Sequence, residues 1–296
     1  MSSYGPAVLR FAPSPNGWLH LGHAYSALRN EAVARETGGR LLLRIEDLDR
    51  TRCKRAFEEA IVADVAWLGL RFDGPPRRQS EHERDYAAAL DRLEGMGLLY
   101  PCFCSRGEVA RAAIGRDPDG APLYAGTCRG LPDETVAARI AHGGRFALRL
   151  DMQRAIERMK GALFWTEYGE GDAAAEQRAE PAKWGDVVLR GRDLAASYHL
   201  AVTLDDATQG VTDIVRGRDL FAATSVHRLL QELFGLPAPR YRHHRLVLDP
   251  EGAKLAKSRL SRPLRALRAE GIAPAQIRAS LGFGAGDAGG FAVRLS

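Results

Sequence analysis

His20 and His23 stand three residues apart in the stretch RFAPSPNGWLHLGH. Such a pair can ligate a metal, contact phosphates or simply pack. A metal needs a third ligand close by, as in a His-Glu-x-x-His helix. Neither Leu21-Gly22 between them nor AYSAL after them supplies one. A phosphate suits the context better. A Pro- and Gly-rich loop leads from a strand into a helix N-terminus, where free N–H groups and the helix dipole favour anions. Gly22 lets a ligand approach the backbone closely. A second set is Lys254-Leu255-Ala256-Lys257-Ser258, after the strand-like RLVLD and the turn residues PEGA. Two lysines and a serine on a loop can grip polyphosphate through charge and hydrogen bonds, although a lone basic loop of this kind is more often simply solvated. The third set is Cys102, Cys104 and Cys128. Three thiols cannot pair fully into disulfides and read better as a metal site. Cys53 stands apart and reads as a packing residue. Zinc usually takes four ligands. Tyr124 and His142 are the nearby candidates, and of the two side chains imidazole is the better-known ligand.

The elements that must position these groups follow an α/β pattern. AVLRFAPS (7–14) reads as a strand, 19–36 as a helix and RLLLRIED (40–47) as a buried strand. This is a βαβ unit with its ligand edge at the strand C-termini and the helix N-terminus. Helical spacing recurs over 55–70 and 81–98. From Tyr100 the text turns rich in Gly, Pro and Cys. DETVAARIAHG then reads as a helix and RFALRL as a strand, and 152–183 is polar and alanine-rich. DVVLRGRD, SYHLAVTLDD, VTDIVRG and YRHHRLVLD read as strands. A helix runs from Asp219, a plausible N-cap, to Gly235. Four segments result. Residues 1–100 and 184–258 are two halves of one Rossmann-like domain, 101–183 is an inserted subdomain, and 259–296 is a short basic C-terminal extension.

The chain has 296 residues, 45% hydrophobic and 27% charged, which is an ordinary globular composition. A net charge of +5 is mild support for a polyanionic partner. MSSYGPAVLR is too short and broken for a signal peptide, and runs such as RLLLRI cannot cross a bilayer. The expectation is a cytoplasmic protein with no membrane partner.

The histidine pair after the first strand and the lysine loop after the last resemble the two signature motifs of class I aminoacyl-tRNA synthetases. RFAPSPNGWLHLGHA, LLLRIEDLDRTR, YHLAVTLDDATQGVTDIVRGRDL and AKLAKS narrow the likeness to the catalytic domain of glutamyl-tRNA synthetases and their relatives, from about Arg10 to Ser258. The resemblance implies ATP and Mg²⁺ at His20, Gly22, His23, Lys254 and Lys257, with Lys257 on the phosphates that leave as pyrophosphate. It implies L-glutamate at Arg10, Phe11, Ala12, Pro13, Ser14, Glu46, Tyr198 and Arg216. A guanidinium such as Arg10 pairs bidentately with a carboxylate, and Glu46 suits the substrate ammonium. Two positions depart from the usual pattern. Ala256 stands where the family commonly has Ser, which removes one hydroxyl from the phosphate loop. Asn16 replaces a Ser or Thr and still serves a turn.

One branch of the family, the glutamyl-Q tRNA(Asp) synthetases, is similar at Cys-x-Cys…Tyr-x-x-x-Cys. This implies one structural Zn²⁺ on Cys102, Cys104, Tyr124 and Cys128. Only 38 residues follow Ser258, too few for the anticodon-binding portion of full-length relatives. That again favours the branch, whose partner is queuosine-modified tRNA(Asp). The rival expectations are a truncated synthetase charging tRNA(Glu) and an inactive tRNA- or nucleotide-binding relative. Arg259, Arg262, Arg265 and Arg268 recur by threes and could line one helix face toward tRNA phosphates.

Overall fold

The computed structural model describes residues 6–169, 173–248, 262–284 and 294–295. The chain begins with β1 (Val8–Phe11), crosses over through α1 (Leu21–Glu36) and returns as β2 (Arg40–Ile45). The strands are parallel, with Leu9 opposite Leu41 and Phe11 opposite Leu43. All four are buried, as the near-continuous apolar text of a covered parallel sheet requires. Gly39 permits the return: a Cβ there would sit 2.1 Å from the Ala7 carbonyl oxygen. Next come α2 (Arg55–Trp67), the short strand β3 (Arg77–Arg78), parallel to β2, and α3 (Glu83–Gly95).

The middle of the chain contains β4 (Leu99–Cys102), α4 (Arg106–Arg111), α5 (Asp133–Ala141), β5 (Ala147–Leu150), α6 (Met152–Glu157), β6 (Phe164–Tyr168), β7 (Ala174–Arg178) and β8 (Val188–Arg190). β4, β5 and β8 form an antiparallel sheet with β5 in the centre. β6 and β7 pair antiparallel with each other. The remaining elements are α7 (Tyr198–Thr208), β9 (Asp213–Gly217), α8 (Thr224–Phe234), β10 (Arg240–His244), β11 (Val247–Leu248), α9 (Leu264–Ala269), α10 (Pro274–Ser280) and β12 (Arg294–Leu295).

β10 lies between β9 and β6, parallel to both, so β6 and β7 of the 101–183 segment hydrogen-bond into the sheet of the second half. Thr212, just before β9, joins the halves. Its N–H donates to Val8 O at 3.0 Å, and its hydroxyl accepts from Val8 N at 2.9 Å. Across this seam the sheet runs β3-β2-β1 in one direction and β9-β10-β6 in the other. A cleft outside the strand C-termini is expected where the order reverses, between β1 and β9. No described helix is long and apolar enough to cross a membrane.

Three expectations need correction. Residues 197–206 are helical, not extended. Ser197 caps α7 by accepting from Leu200 N. Leu200–Thr203, Asp205 and Asp206 are all buried, a run too continuous for the text to show a 3.6-residue period. Asp219 is not the N-cap of α8. It lies in a 3₁₀ turn (Arg218–Leu220), and the helix starts after Ala223. The 241–249 strand also breaks, into β10 and β11.

Gly39→Ala should destabilise the fold by about 2 kcal/mol or more, because the new methyl displaces the β1–β2 crossover. Urea unfolding measures this, and an unchanged midpoint would refute the close approach.

Candidate active site

A cleft of 370 Å³ opens at the predicted reversal. Arg10, Phe11, Ala12, Pro13, Ser14, His20, Gly22, His23, Glu46, Tyr198 and Arg216 all line it. Val215, Gly217, His244 and Val247 line it too, and none of these was singled out in the sequence. Lys254 and Lys257 lie outside the described residues. The chain on either side of 249–261 is at the site: Val247 lines the cleft, and Pro263 forms a β-bridge with His20.

The two histidines build the start of α1. His20 Nδ1 accepts from Gly22 N at 3.0 Å, and His23 Nδ1 accepts from His20 N at 3.2 Å. Each ring therefore keeps its proton on Nε2. Burial lowers His20 to about 4, and burial together with His20 lowers His23 to about 3. Both are neutral at pH 7 and carry Nε2–H donors, which a phosphate oxygen can accept. Gly22 serves this cap directly, since a Cβ would meet the His20 ring at 2.9 Å.

A buried ion network forms the floor. Asp206 Oδ1 accepts from Arg10 Nε at 2.9 Å and from Arg44 Nη1 at 2.7 Å. Arg44 Nη2 also reaches Glu46 Oε1 at 3.5 Å. Behind them, fully buried Asp205 takes Arg77 Nε, Gln79 Nε2 and Tyr86 OH at 2.8–2.9 Å. Glu46 N donates to Pro13 O at 3.1 Å, which sets this carboxylate beside the proline loop. Burial pushes Glu46 up to about 7, against the pull of Arg44 and Arg10.

Arg216, on β9, lines the same cleft and is 5% exposed. It donates to His243 Nε2 at 3.1 Å, His227 Nδ1 at 3.1 Å, Leu220 O at 3.1 Å and Thr224 Oγ1 at 2.8 Å. Tyr198 OH lies 3.5 Å from Nη1. Every one of these partners is uncharged, and no carboxylate pairs with Arg216 among the described residues. A buried cation without a counter-ion is costly, and an anionic ligand removes the cost.

The cysteines gather elsewhere, with their three Sγ atoms within 4.8 Å of one another. Cys104 and Cys128 Sγ are 3.5 Å apart, and Tyr124 OH is 3.4 Å from Cys102 Sγ. A tetrahedral zinc, with Zn–S about 2.3 Å, spaces its sulfurs by roughly 3.8 Å. The donor set fits such an ion. His142 lies outside the group: it is exposed, and its Nδ1 donates to Ala138 O at 2.7 Å.

The expected basic face of the C-terminal extension falls only partly within the described residues, with Arg265 and Arg268 exposed on α9. α9 begins at Leu264, so Arg262 precedes it, and Arg259 lies outside the described residues. Arg262 pairs with Glu270. Arg265 stacks over Trp18 at 4.1 Å, and Arg268 faces buried Asp64 at 3.8 Å. Arg265 and Arg268 thus dock α9 onto the domain.

Over residues 7–284 the chain matches the family model described as tRNA synthetases class I (E and Q), catalytic domain. The chain belongs to that family. A glutamyl-Q tRNA(Asp) synthetase from Rhodobacter capsulatus is 45% identical, over 93% of this synthetase chain and 99% of the relative. One from Symbiobacterium thermophilum is 42% identical, over 93% and 85%. A glutamate–tRNA ligase from Nitrosococcus oceani is 38% identical over 90% of this chain and 56% of its own length. Among solved structures, a glutamate tRNA ligase from Elizabethkingia meningosepticum in complex with its amino acid gives a TM-score of 0.72 at 25% identity. The match covers 93% of this chain, which spans 60% of that structure's length.

An amino-acid ligand drawn to Glu46 by its ammonium needs the carboxylate ionised. Ionisation is lost as pH falls through about 7. The KM for the amino acid should therefore rise about tenfold from pH 8 to pH 6. Glu46→Gln should give a high KM with no such slope. A flat wild-type profile would refute the assignment.

Proposed function

We propose that this synthetase activates L-glutamate with ATP to glutamyl-adenylate and transfers the glutamyl group to queuosine in the anticodon loop of tRNA(Asp). The observation that carries the glutamate half is Arg216, a buried guanidinium with only uncharged partners, facing a cleft that also holds Arg10 and Glu46. Two arginines and one glutamate complement an amino acid bearing two carboxylates and one ammonium. The tRNA half rests on the Rhodobacter and Symbiobacterium relatives, whose names state that target.

In the first step a glutamate α-carboxylate oxygen attacks the α-phosphorus in line. The bond to the β-phosphate oxygen breaks and pyrophosphate leaves. His20 and His23 donate Nε2–H bonds to the phosphates at the α1 N-terminus, and Lys254 and Lys257 add charge. Mg²⁺ bound with ATP supplies further neutralisation. Positioning and charge neutralisation do the chemistry, so no protein nucleophile is needed. In the second step a hydroxyl of the queuosine ring attacks the acyl carbon, loses its proton, and AMP leaves.

Glutamate-dependent exchange of pyrophosphate into ATP tests the first step, and its absence would leave only a nucleotide- or tRNA-binding protein. Charging assays test the second. Glutamate should be accepted by tRNA(Asp) carrying queuosine and refused by tRNA(Asp) without it and by tRNA(Glu). Charging of tRNA(Glu) alone would overturn the target.

Cys102, Cys104, Tyr124 and Cys128 would hold one structural zinc, supporting a cysteine-lined patch with few other buried residues. The cation of Arg149, 3.8 Å over the Tyr124 ring, suits an anionic ligand set. Elemental analysis should find about one zinc per chain in wild type and much less in Cys128→Ser. A metal-free wild type with unchanged thermal stability would remove the site.

A further inference from the structure

Arg216 is held by a chain of imidazoles whose protonation pattern the geometry fixes. Its Nη1 donates to His227 Nδ1, so that nitrogen is an acceptor and the ring proton sits on Nε2. His227 Nε2 lies 3.1 Å from His199 Nδ1 and donates to it. On the other side Arg216 Nε donates to His243 Nε2, so His243 carries its proton on Nδ1. That proton goes to Glu167 Oε2 at 2.8 Å, while Glu167 Oε1 accepts from His243 N at 2.9 Å. His227 and His243 are thus opposite tautomers, and both are neutral. Both oxygens of Glu167 are engaged by His243, so the nearest carboxylate on this side reaches Arg216 only through a ring. Burial and the facing guanidinium oppose protonation of His227, which lies well below its usual range.

Uncharged acceptors orient a guanidinium without cancelling its charge. A carboxylate in their place would orient it equally well but would neutralise it, and the cleft would lose its demand for an anion. We propose that His227 and His243, with Glu167 behind His243, are positioning residues that set the preference of the cleft for an amino acid with a side-chain carboxylate over the corresponding amide. This rests on the reading that Arg216 receives the glutamate side chain. Neither His227 nor Glu167 lines the cleft, so both act through Arg216.

Two variants at one position separate charge from packing. His227→Gln offers a neutral carbonyl acceptor and should keep the KM for glutamate within about threefold of wild type. His227→Glu offers a carboxylate and should raise it about a hundredfold, with the glutamate-to-glutamine preference collapsing. The KM for ATP should stay within about twofold in both, a split that general loss of structure would not produce. Equal effects of Gln and Glu, or a parallel rise in the KM for ATP, would overturn the proposal.

Wild-type protein with ¹⁵N-labelled histidine provides a test that needs no variant to fold. At pH 7 His227 should appear as the Nε2–H tautomer and His243 as the Nδ1–H tautomer. Added glutamate should shift both signals at lower concentration than glutamine does. An imidazolium at either position, or no preferential response to glutamate, would refute the proposal. Preferential binding without pyrophosphate exchange would instead sink the catalytic reading and leave this one standing.

Discussion

Asp206 is the point on which the site depends. One carboxylate oxygen holds Arg10 of β1 and Arg44 of β2, and the residue itself comes from α7. Three separated parts of the chain are thereby fixed at the open edge of the sheet. Arg10 spends Nε on this bond, so its orientation in the cleft is set before any ligand arrives. Arg44 also reaches Glu46 two residues on, which holds that carboxylate on the cleft side of the strand. Removing one partner from a buried pair of this kind typically costs about 3–5 kcal/mol, because a charge is left stranded. Here the stranded charge would be Arg10, which lines the cleft, so the stability of the fold and the electrostatics of the cleft are joined at the same atom.

The rest of the electrostatics follows a division of labour. On the floor, charges are paired: Asp206 with Arg10 and Arg44, Asp205 with Arg77. At the N-terminus of α1 the donors are neutral, because burial drives His20 and His23 well below pH 7 while their Nδ1 atoms are taken up in the helix cap. Two neutral N–H donors beside a helix N-terminus can approach ATP without an added desolvation cost for buried charge. Arg216, in contrast, has no carboxylate partner among the described residues.

Much of this was legible in the sequence, and the exceptions have physical reasons. The first βαβ unit was readable because its strands are buried on both sides and its helix opens at a proline- and glycine-rich loop. The residues expected from the motif blocks line one cleft, apart from the two lysines outside the described residues. Asp205 and Asp206 went unused because 197–206 read as a strand. Neighbouring strand residues point to opposite faces, so both carboxylates could not have served one site. In α7 both are buried and both reach arginines. His227 and His243 carried no signal at all. Their role depends on which nitrogen holds the proton, and that follows only from the contacts of Arg216.

The basic tail shows why charge runs are poor guides on their own. Arg265 and Arg268 fit a tRNA-facing stripe by spacing, yet each has an internal partner. Arg265 covers Trp18, which packs edge-on against Phe57 of α2 at 4.7 Å. Arg268 faces Asp64, a fully buried carboxylate of α2. Leu264 N donates to Leu19 O at 2.8 Å, and Pro263 bridges His20. The chain that follows the lysine motif is therefore fastened to the residues around the histidine motif by backbone and side-chain contacts. A parallel sheet brings the C-terminal ends of distant strands side by side but does not fix the loops that leave them. In this molecule α9 supplies that fixation. It ties Pro263 and Leu264 to the helix cap formed by His20 and His23, and Arg265 and Arg268 fasten the helix there.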